Sequence, residues 1–585
     1  MQLSILDISI LIGFFVVSLL IGWWASKTSG DNKESFFLSG RNMPWWLLGV
    51  SMVATTFSAD TPNLVTEIVR KDGVSGNWQW WAFLLTGMLT VFVYAKLWRR
   101  SGVATDLEFY ELRYSGKAAS FLRGFRAIYL GVFFNVLIMA NVLLAGIKIS
   151  GVLLGTSPIV TVLLVGTITV VYSAMGGLKA VIWTDFFQFS FAMVGMVLAC
   201  LYVLDMPQVG GLSNLLSQEV VQEKMDFFPD FSNPEAYIPL LVIPLAVQWW
   251  SVWYPGAEPG GGGYIAQRML SAKDEKNAVT ATLIFNIMHY ALRPWPWILI
   301  ALASLVVFPD LSQIAEKFPN MQPSFINHDL AFPAMLSFLP SGLLGLVIAA
   351  LMAALMSTIS THLNWGSSYL VNDVYLRYIS PEASDKKQVF VGRIVTVVLM
   401  LLAAAGSLKL DTAHASFRIL LQMGAGTGLL FILRWFWWRI NAYSEISAMS
   451  FSLALAYYFE VGYEGGLSGS EKLLLTVFLT TIVWVVVTLL TKPTDRDTLV
   501  RFYTLIRPSG PGWGPVVQWK GATEGQLAGS TLGADISKMF LGVALVYAAL
   551  FAIGSALYSW WMAFGLWMLL GLGSIYLLRR FWDKE

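Results

Sequence analysis

Long apolar runs dominate the pattern of hydrophobic and polar positions along the chain. About twenty consecutive apolar residues in a helix, at a rise of about 1.5 Å per residue, cross the hydrocarbon core of a bilayer. Each such run is predicted to be a helix, because lipid offers the backbone no hydrogen-bond partner. The pattern predicts an all-α polytopic membrane protein with about fifteen transmembrane helices, which begin near Ser4, Trp45, Asn77, Phe121, Pro158, Ala180, Tyr237, Ala278, Ser341, Gln388, Ser416, Glu445, Glu471, Lys538 and Ser559.

The composition supports a membrane protein and argues against several other classes. Hydrophobic residues make up 56% of the chain and charged residues only 13%, which is about half the charged share of a soluble domain. The net charge of +2 implies no broad basic face for nucleic acid. The single Cys200 excludes an intramolecular disulfide, and four histidines leave little material for a metal site. No cofactor is expected.

Lysine and arginine alternate between rich and poor connections along the chain, which predicts the orientation of the helices. The rich connections are expected to face the cytoplasm, and Arg268 is counted among them. Fifteen crossings then place the N-terminus outside and the C-terminus inside an inner or plasma membrane. The first apolar run lacks a basic start and a small-residue cleavage site, so it is predicted to be a retained helix. Three connections are long: residues 208–236 and 309–340 outside, and residues 493–536 inside.

Two apolar segments carry helix breakers at mid-membrane depth. In the second, Asp60 and Thr61 precede Pro62, and the seventh has two prolines and five glycines between Trp249 and Gly263. Irregular backbone survives at this depth where it lines a cavity or is buried in protein. Freed carbonyls there can coordinate a cation, and half-helix N-termini can face an anionic group. A pair of packing kinks is the alternative, but two interrupted helices five crossings apart favour an inverted-repeat transporter.

The ninth and sixth helices carry the remaining polar signals of a cation path. Ala354, Ser357 and Thr358 lie three and four residues apart and share one helix face. Their hydroxyl and carbonyl oxygens suit a hard monovalent cation, although small residues also serve close helix packing. Asp185 lies near the predicted cytoplasmic start of the sixth helix. An acidic group inside a membrane is a functional hypothesis by default.

The eighth helix places His289 and Arg293 one turn apart. Arg293 is expected either to bind an anionic group of a solute or to pair with Glu258 or Asp60 at the breaks. The ion pair is favoured, and it predicts a pocket that is neutral overall. Trp and Tyr residues near the seventh-helix break favour a sugar ring in that pocket.

Residues 172–188 are similar to a signature of the sodium:solute symporter family, which includes the sodium–glucose cotransporters. The matching features are an aromatic residue, Gly-Gly-Leu, Thr-Asp and a final Gln. Gln267-Arg268 and the residues up to Lys273 resemble the family's loop between its sixth and seventh core helices. The resemblance runs from about residue 5 to 490, so the last two helices lie beyond it.

The resemblance implies a LeuT-like fold of two inverted five-helix repeats with extra N- and C-terminal helices. The expected divisions are an extra N-terminal helix and first cytoplasmic loop (1–40), the first repeat (41–236), the second repeat (237–440), additional transmembrane helices (441–492), a cytoplasmic loop (493–536) and the C-terminal helices (537–585).

The resemblance also implies the positions of the sites. The sodium ligands it implies are backbone and side-chain oxygens of Ala54, Phe57, Ala354, Ser357 and Thr358, with Asp185 on the cytoplasmic sodium path. The sugar site departs from the family pattern, because the expected glutamate is Gln79, the expected lysine is His289, and the expected glutamine falls at Phe417, one turn from Gln422. The expected solute-binding residues are Asp60, Thr61, Gln79, Trp253, Tyr254, Glu258, His289, Arg293 and Gln422.

These features predict a secondary active transporter that couples sodium entry to uptake of a small polar organic solute by alternating access. A sugar or sugar-like solute is favoured, and a carboxylate or amino acid is the alternative. The expected partners are the solute, the sodium ion and the lipid bilayer. A membrane-embedded enzyme would need His289 with Asp60 or Glu258 as its reactive set, and no spacing supports one. A sensor with a transporter fold would need a signalling domain, for which residues 493–536 are too few.

Overall fold

The computed structural model describes residues 3–29, 32–251, 258–319, 326–409, 424, 426–519 and 532–582. The described residues form helices and connections, with one isolated backbone bridge between Met43 and Ala272. Ten of the helices are long and apolar enough to cross a membrane. The count of fifteen crossings stays a prediction.

Up to residue 205, the described residues form seven principal helices. They are α1 (Ile5–Ser29), α2 (Lys33–Leu38), α3 (Trp45–Thr55), α4 (Thr61–Asp72), α5 (Val74–Ser101), α6 (Gly116–Gly151) and α7 (Pro158–Asp205). Short helices at Leu212–Ser217 and Glu219–Gln222 lie in the connection that follows.

From residue 234 onward, the chain continues with α8 (residues 234–246), α9 (Gly263–Ser271), α10 (Glu275–Val307), α11 (Leu343–Ile379), α12 (Asp385–Ser407), α13 (Gly428–Leu433), α14 (Ala442–Tyr457), α15 (Gly469–Leu490), α16 (Arg496–Ile506), α17 (Leu532–Leu557) and α18 (Trp561–Trp582). Short helices at Leu311–Lys317 and Ala331–Leu336 lie between α10 and α11.

The long α7 contains the two apolar runs that begin near Pro158 and Ala180, and Gly177 separates them. Gly177 has φ 52° and ψ −149°, a backbone conformation that a side chain with a Cβ adopts only under strain. A Cβ there would also come within 2.4 Å of the carbonyl oxygen of Phe36. Two local features therefore favour glycine at position 177 of the signature segment: the break in the helix and the close approach of α2.

The core of the molecule forms where α7 and α11 pack on each other, with α1 against both. Asp7 of α1 fixes the start of α11, because its Oδ1 accepts hydrogen bonds from the backbone amides of Gly342 and Gly345 at 2.7 and 2.8 Å. Amides at a helix N-terminus lack partners within the helix, so this carboxylate caps α11. α1 is thereby held to the start of α11.

The C-terminal helices lie beside α5 and α10. Tyr547 of α17 donates a hydrogen bond to the carbonyl oxygen of Trp81 at 2.9 Å, and the ring of Phe551 packs near those of Trp78 and Trp81. α17 therefore braces α5. Most large side chains of α18 are exposed, as expected of a helix that faces lipid.

The second break, predicted from its prolines and glycines, is present between α8 and α9. Its described residues are held by other protein groups. Trp98 donates its Nε1–H to the carbonyl oxygen of Gly260 at 2.8 Å, and Asp106 accepts a hydrogen bond from the amide of Gly263 at 2.8 Å. The side chain of Tyr369 donates to the other oxygen of Asp106 at 2.5 Å. These groups satisfy backbone that lipid could not.

Glu258 at this break forms an ion pair with Arg126 of α6, and both side chains are buried. The guanidinium of Arg126 also lies over the rings of Tyr110 and Phe431, at 5.4 and 5.1 Å from their centroids. Removing one partner of a buried pair leaves the other charge without compensation. The pair therefore anchors the glycine-rich segment to α6.

Glu258→Gln is expected to destabilise the protein by about 3–5 kcal/mol, because Arg126 remains buried without a counter-charge. Thermal unfolding of the purified protein in detergent measures the effect. The double variant Arg126→Met, Glu258→Gln is expected to recover most of the loss. Glu67→Gln is the matched control, because Glu67 pairs with a half-exposed Lys71 and such pairs contribute about 0–1 kcal/mol. Equal effects of Glu258→Gln and Glu67→Gln would contradict the assignment.

Candidate functional site

The first helix break lies between α3, which ends at Thr55, and α4, which begins at Thr61. Residues 56–60 are not helical, as predicted from the polar run before Pro62. The amide of Phe57 donates to the carbonyl oxygen of Ala54 at 3.1 Å, and both residues are buried. The hydroxyl oxygen of Ser58 is buried without a hydrogen-bond partner. The break therefore places polar groups inside the protein that α3 and α4 do not satisfy.

One face of α11 meets this break. The hydroxyl of Thr358 lies 3.1 Å from the carbonyl oxygens of Thr55 and Ala354, and Thr358, Ala354 and Ser357 are all buried. Helix spacing alone predicted that the three α11 residues share one face. The structure shows that α3 lies opposite this face. Oxygens of backbone and hydroxyl groups are the ligands that hard cations prefer. These uncharged oxygens fit a weakly held monovalent cation.

Asp185 of α7 lies at the centre of a fully buried polar cluster. Its two carboxylate oxygens accept hydrogen bonds from the hydroxyls of Ser51 at 2.5 Å and Ser357 at 2.6 Å. The guanidinium of Arg268 lies 3.5 Å from the same carboxylate. Asp185 thus joins α3, α9 and α11, and it shares Ser357 with the group of candidate sodium ligands.

Arg268 is the main residue of this cluster that sequence reasoning missed. The expectation of a cytoplasmic loop at 267–273 is wrong for Arg268, which lies in α9 and is completely buried. Its Nη2 donates to the hydroxyl oxygen of Thr361 at 2.6 Å, and its Nε lies 3.3 Å from that of Ser51. Buried guanidinium groups require such partners. One feature of the sequence could have indicated a helix here: the polar residues of segment 267–273 have helical spacing and follow a glycine-rich break.

The eighth apolar segment supplies the polar groups on the other side of the first break. The Nδ1 of His289 lies 2.9 Å from the hydroxyl of Thr56, and Arg293 donates to the carbonyl oxygen of Thr56 at 2.8 Å. Arg293 also lies 3.3 Å from His289 Nε2 and 5.1 Å above the ring of Trp297. The break, His289 and Arg293 are thus one connected site.

The favoured ion pair of Arg293 with Glu258 or Asp60 is wrong. Glu258 is paired with Arg126, and Asp60 is exposed. Within the described ranges, no carboxylate lies within ion-pair distance of Arg293, and its Nε is buried without a hydrogen-bond partner. Arg293 itself is only 2% exposed. The guanidinium is therefore a buried cation held by a carbonyl, a histidine and an aromatic ring.

The other expected solute-binding residues are dispersed. Thr61 is half-buried at the start of α4. The side-chain amide of Gln79 turns toward Asp72 at 3.4 Å, while its backbone carbonyl accepts a hydrogen bond from Gln248 at 2.7 Å. Gln248, which sequence reasoning did not select, thereby ties the seventh segment to α5. The remaining three, Trp253, Tyr254 and Gln422, lie outside the described residues.

Comparisons with known proteins identify the chain's relatives. A "Sodium/glucose cotransporter" of Vibrio parahaemolyticus is 26% identical over 85% of this chain and 92% of its own length. A "Sodium/myo-inositol cotransporter 2" of Mus musculus is 27% identical over 77% and 69%. A solved structure of a Na+-coupled sialic acid symporter, in a substrate-bound outward-open state, has 22% identity and a TM-score of 0.69, covering 84% of this chain and all of that one.

That structural likeness confirms the LeuT-like fold. The sodium:solute symporter family model matches residues 36–451, a narrower range than the expected 5–490 that still leaves α17 and α18 outside. The match includes both helix breaks, the Asp185 cluster and the oxygen-lined face of α11. The chain belongs to the sodium:solute symporter family.

Proposed function

We propose that this sodium-coupled symporter carries a small polar solute that bears a carboxylate, such as an acidic sugar, and binds it at the first helix break with the carboxylate on Arg293. The carrying observation is that Arg293 is buried, has no carboxylate partner within the described ranges and keeps its Nε unpaired. A guanidinium in that state gains most from a bidentate carboxylate.

The site also offers groups for the rest of the solute. The rings of Trp80 and Tyr290 stack 5.8 Å apart beside His289, and aromatic faces suit the apolar face of a sugar ring. Ser58 keeps a buried hydroxyl oxygen without a partner. These groups support a hydroxyl-rich acid over a purely aliphatic one. The relatives' names, glucose and myo-inositol, favour a neutral sugar or polyol as the second candidate.

The proposed sodium ligands are oxygens of Ala54, Phe57, Ala354, Ser357 and Thr358, with Asp185 beside them. Sodium at this position would join α3 to α11 and so order the backbone of the break. The carbonyl of Thr56, two residues after Ala54, accepts the hydrogen bond of Arg293. Sodium binding would therefore position the guanidinium of Arg293, which contacts the solute.

Energy for uptake comes from the sodium gradient. A membrane potential of about 100 mV contributes about 2.3 kcal/mol per charge, before any concentration difference. Uncharged oxygens allow sodium to leave on the inside, whereas several carboxylates would hold it. The members of this family are transporters and not enzymes, so His289 is assigned to solute binding and has no catalytic role here.

The double variant Ser357→Ala, Thr358→Ala is expected to raise the sodium concentration for half-maximal uptake at least about tenfold, which corresponds to a loss of about 1.4 kcal/mol or more for the two ligands together. Uptake into proteoliposomes across a series of sodium concentrations measures it. Thr481→Ala is the control, because its hydroxyl bonds within α15, remote from the break. Unchanged sodium dependence in a well-folded double variant would refute these ligands, and equal wild-type uptake without a sodium gradient would refute coupling.

Sodium-driven uptake is expected to be inhibited by sugar acids in preference to neutral sugars and polyols. Arg293→Gln is expected to remove that preference and weaken acid binding about tenfold or more, because a charge-assisted bidentate contact is lost. Arg293→Lys should retain part of it. Competition assays against both solute panels provide the measurement.

Arg439→Gln is the matched control for Arg293→Gln, since Arg439 also donates to backbone carbonyls, those of Leu489 and Thr491, but outside the first break. Thermal unfolding checks that each variant is folded. Inhibition of the wild type by neutral sugars alone would instead establish the second candidate.

A further inference from the structure

A basic cavity of about 390 Å³ lies at the end of the molecule that the lysine and arginine count predicts to be cytoplasmic. It is lined by α2, by the end of α5 with the loop after it, and by Asn372 near the end of α11. Its volume is within the range of about 300–1,000 Å³ typical of small-ligand sites. The cavity is separate from the first helix break and the Asp185 cluster, whose residues do not line it.

Among the described residues, three cations line this cavity against one carboxylate. The cations are Lys33, Arg41 and Arg99, and the carboxylate is Glu34, which leaves the lining with a net charge of +2. Lys33 is half-buried and has no hydrogen-bond or ion-pair partner within the described ranges. The lining therefore has an excess of positive charge that these residues do not neutralise.

Arg41 supplies the most specific signal. Its Nε donates to Glu34 at 2.7 Å, and its Nη2 donates to the carbonyl oxygens of Gly102 and Val103, both at 2.9 Å. Its Nη1 is buried and has no hydrogen-bond partner. A buried charged donor without an acceptor is costly. An oxyanion in the cavity would supply the acceptor.

The backbone of the turn that contains Arg41 is strained. Ser39, Gly40 and Arg41 have φ values of 51°, 64° and 51°. The left-handed region is unfavourable for a non-glycine residue, and such residues cluster at ligand sites. The same turn leads directly into α3, which carries the first break.

We propose that this cavity binds a phosphomonoester group, from the headgroup of phosphatidic acid or from a soluble phosphate ester. A phosphomonoester carries a charge of about −1.5 to −2, which matches the excess charge of the lining, and a guanidinium binds phosphate oxygens in a bidentate manner. Phosphate bound there contacts α2, the Arg41 turn and the end of α5 at once. Binding therefore stabilises the folded protein and holds these three elements together.

The test uses the purified full-length protein. Its thermal stability is measured at constant ionic strength with inorganic phosphate or glycerol phosphate in detergent, and in phosphatidylcholine nanodiscs with and without phosphatidic acid. Stabilisation is expected to grow with ligand concentration by mass action. Stabilisation by the soluble phosphates identifies a soluble ester as a sufficient ligand, and stabilisation by phosphatidic acid alone identifies the headgroup. Chloride replaces phosphate in the ionic control.

Arg41→Gln and Lys33→Gln are each expected to weaken phosphate binding about tenfold, since each removes a charge-assisted hydrogen bond. Lys33→Gln removes no bond that the described residues make, so it remains informative if Arg41→Gln unfolds the turn. Glu34→Gln is expected to strengthen binding, because it removes the one carboxylate among the described lining residues. A purely structural Arg41–Glu34 pair would give no such gain.

Lys386→Gln is the matched control, because Lys386 is an exposed lysine at the same predicted end and does not line the cavity. Its phosphate response should equal that of the wild type. The proposal is overturned if neither phosphate source stabilises the wild type, or if Lys33→Gln and Arg41→Gln respond as Lys386→Gln does.

Discussion

A helix that stops inside a bilayer leaves amides and carbonyls that lipid cannot satisfy, and this constraint organises the molecule. At the second break, Trp98 and Asp106 bind the backbone groups of Gly260 and Gly263 that no helix satisfies. At the first, the carbonyl oxygens of Thr55 and Thr56 are contacted by Thr358 and Arg293. The described part of the second break is satisfied by side chains that pack there, whereas the first break is bordered by the groups proposed to bind an ion and a solute. The two interruptions look alike in sequence, and the proposed function gives them different roles.

Buried charge follows the same constraint. Glu258 is compensated by Arg126, and Asp185 by Arg268 together with two serine hydroxyls. Each pair joins helices that are distant along the chain, so that breaking a pair would both expose a charge to a low dielectric and release a helix. Arg293 has no carboxylate partner among the described residues, and its contacts are a carbonyl, a histidine nitrogen and aromatic rings. Arg113 and Arg70 are also buried and bonded to backbone carbonyls. Under the proposed function, the position of Arg293 at the first break makes it the contact for a charge brought by the solute.

Under the proposed function, the sodium site and the solute site are coupled over a short distance. Thr55 faces Thr358 on α11, and the next residue, Thr56, faces His289 and Arg293 on α10. Anything that orders one side of these adjacent residues orders the other, because they share a peptide unit. Asp185 extends the route toward α9 through Arg268. The candidate sodium site and the candidate solute site are therefore two faces of the same broken helix.

Local properties of the residues were enough to predict several of these features from the sequence alone. Proline at 62 and glycines at 260–263 cannot sustain a helix, so both breaks were predictable, and helical spacing alone put Ala354, Ser357 and Thr358 on one face. Partner choice was not predictable. Arg126 and Glu258 are separated by 132 positions, and any of several carboxylates could have paired with Arg293 on composition alone. The burial of Arg268 was likewise not predictable from the sequence. An arginine in a basic segment is typical of a loop, and only the packing of the neighbouring helices shows that this one is buried. The sequence determined where helices must break and which residue types were at hand; only the tertiary structure decided which charge met which, because that depends on contacts between helices that chain spacing does not encode.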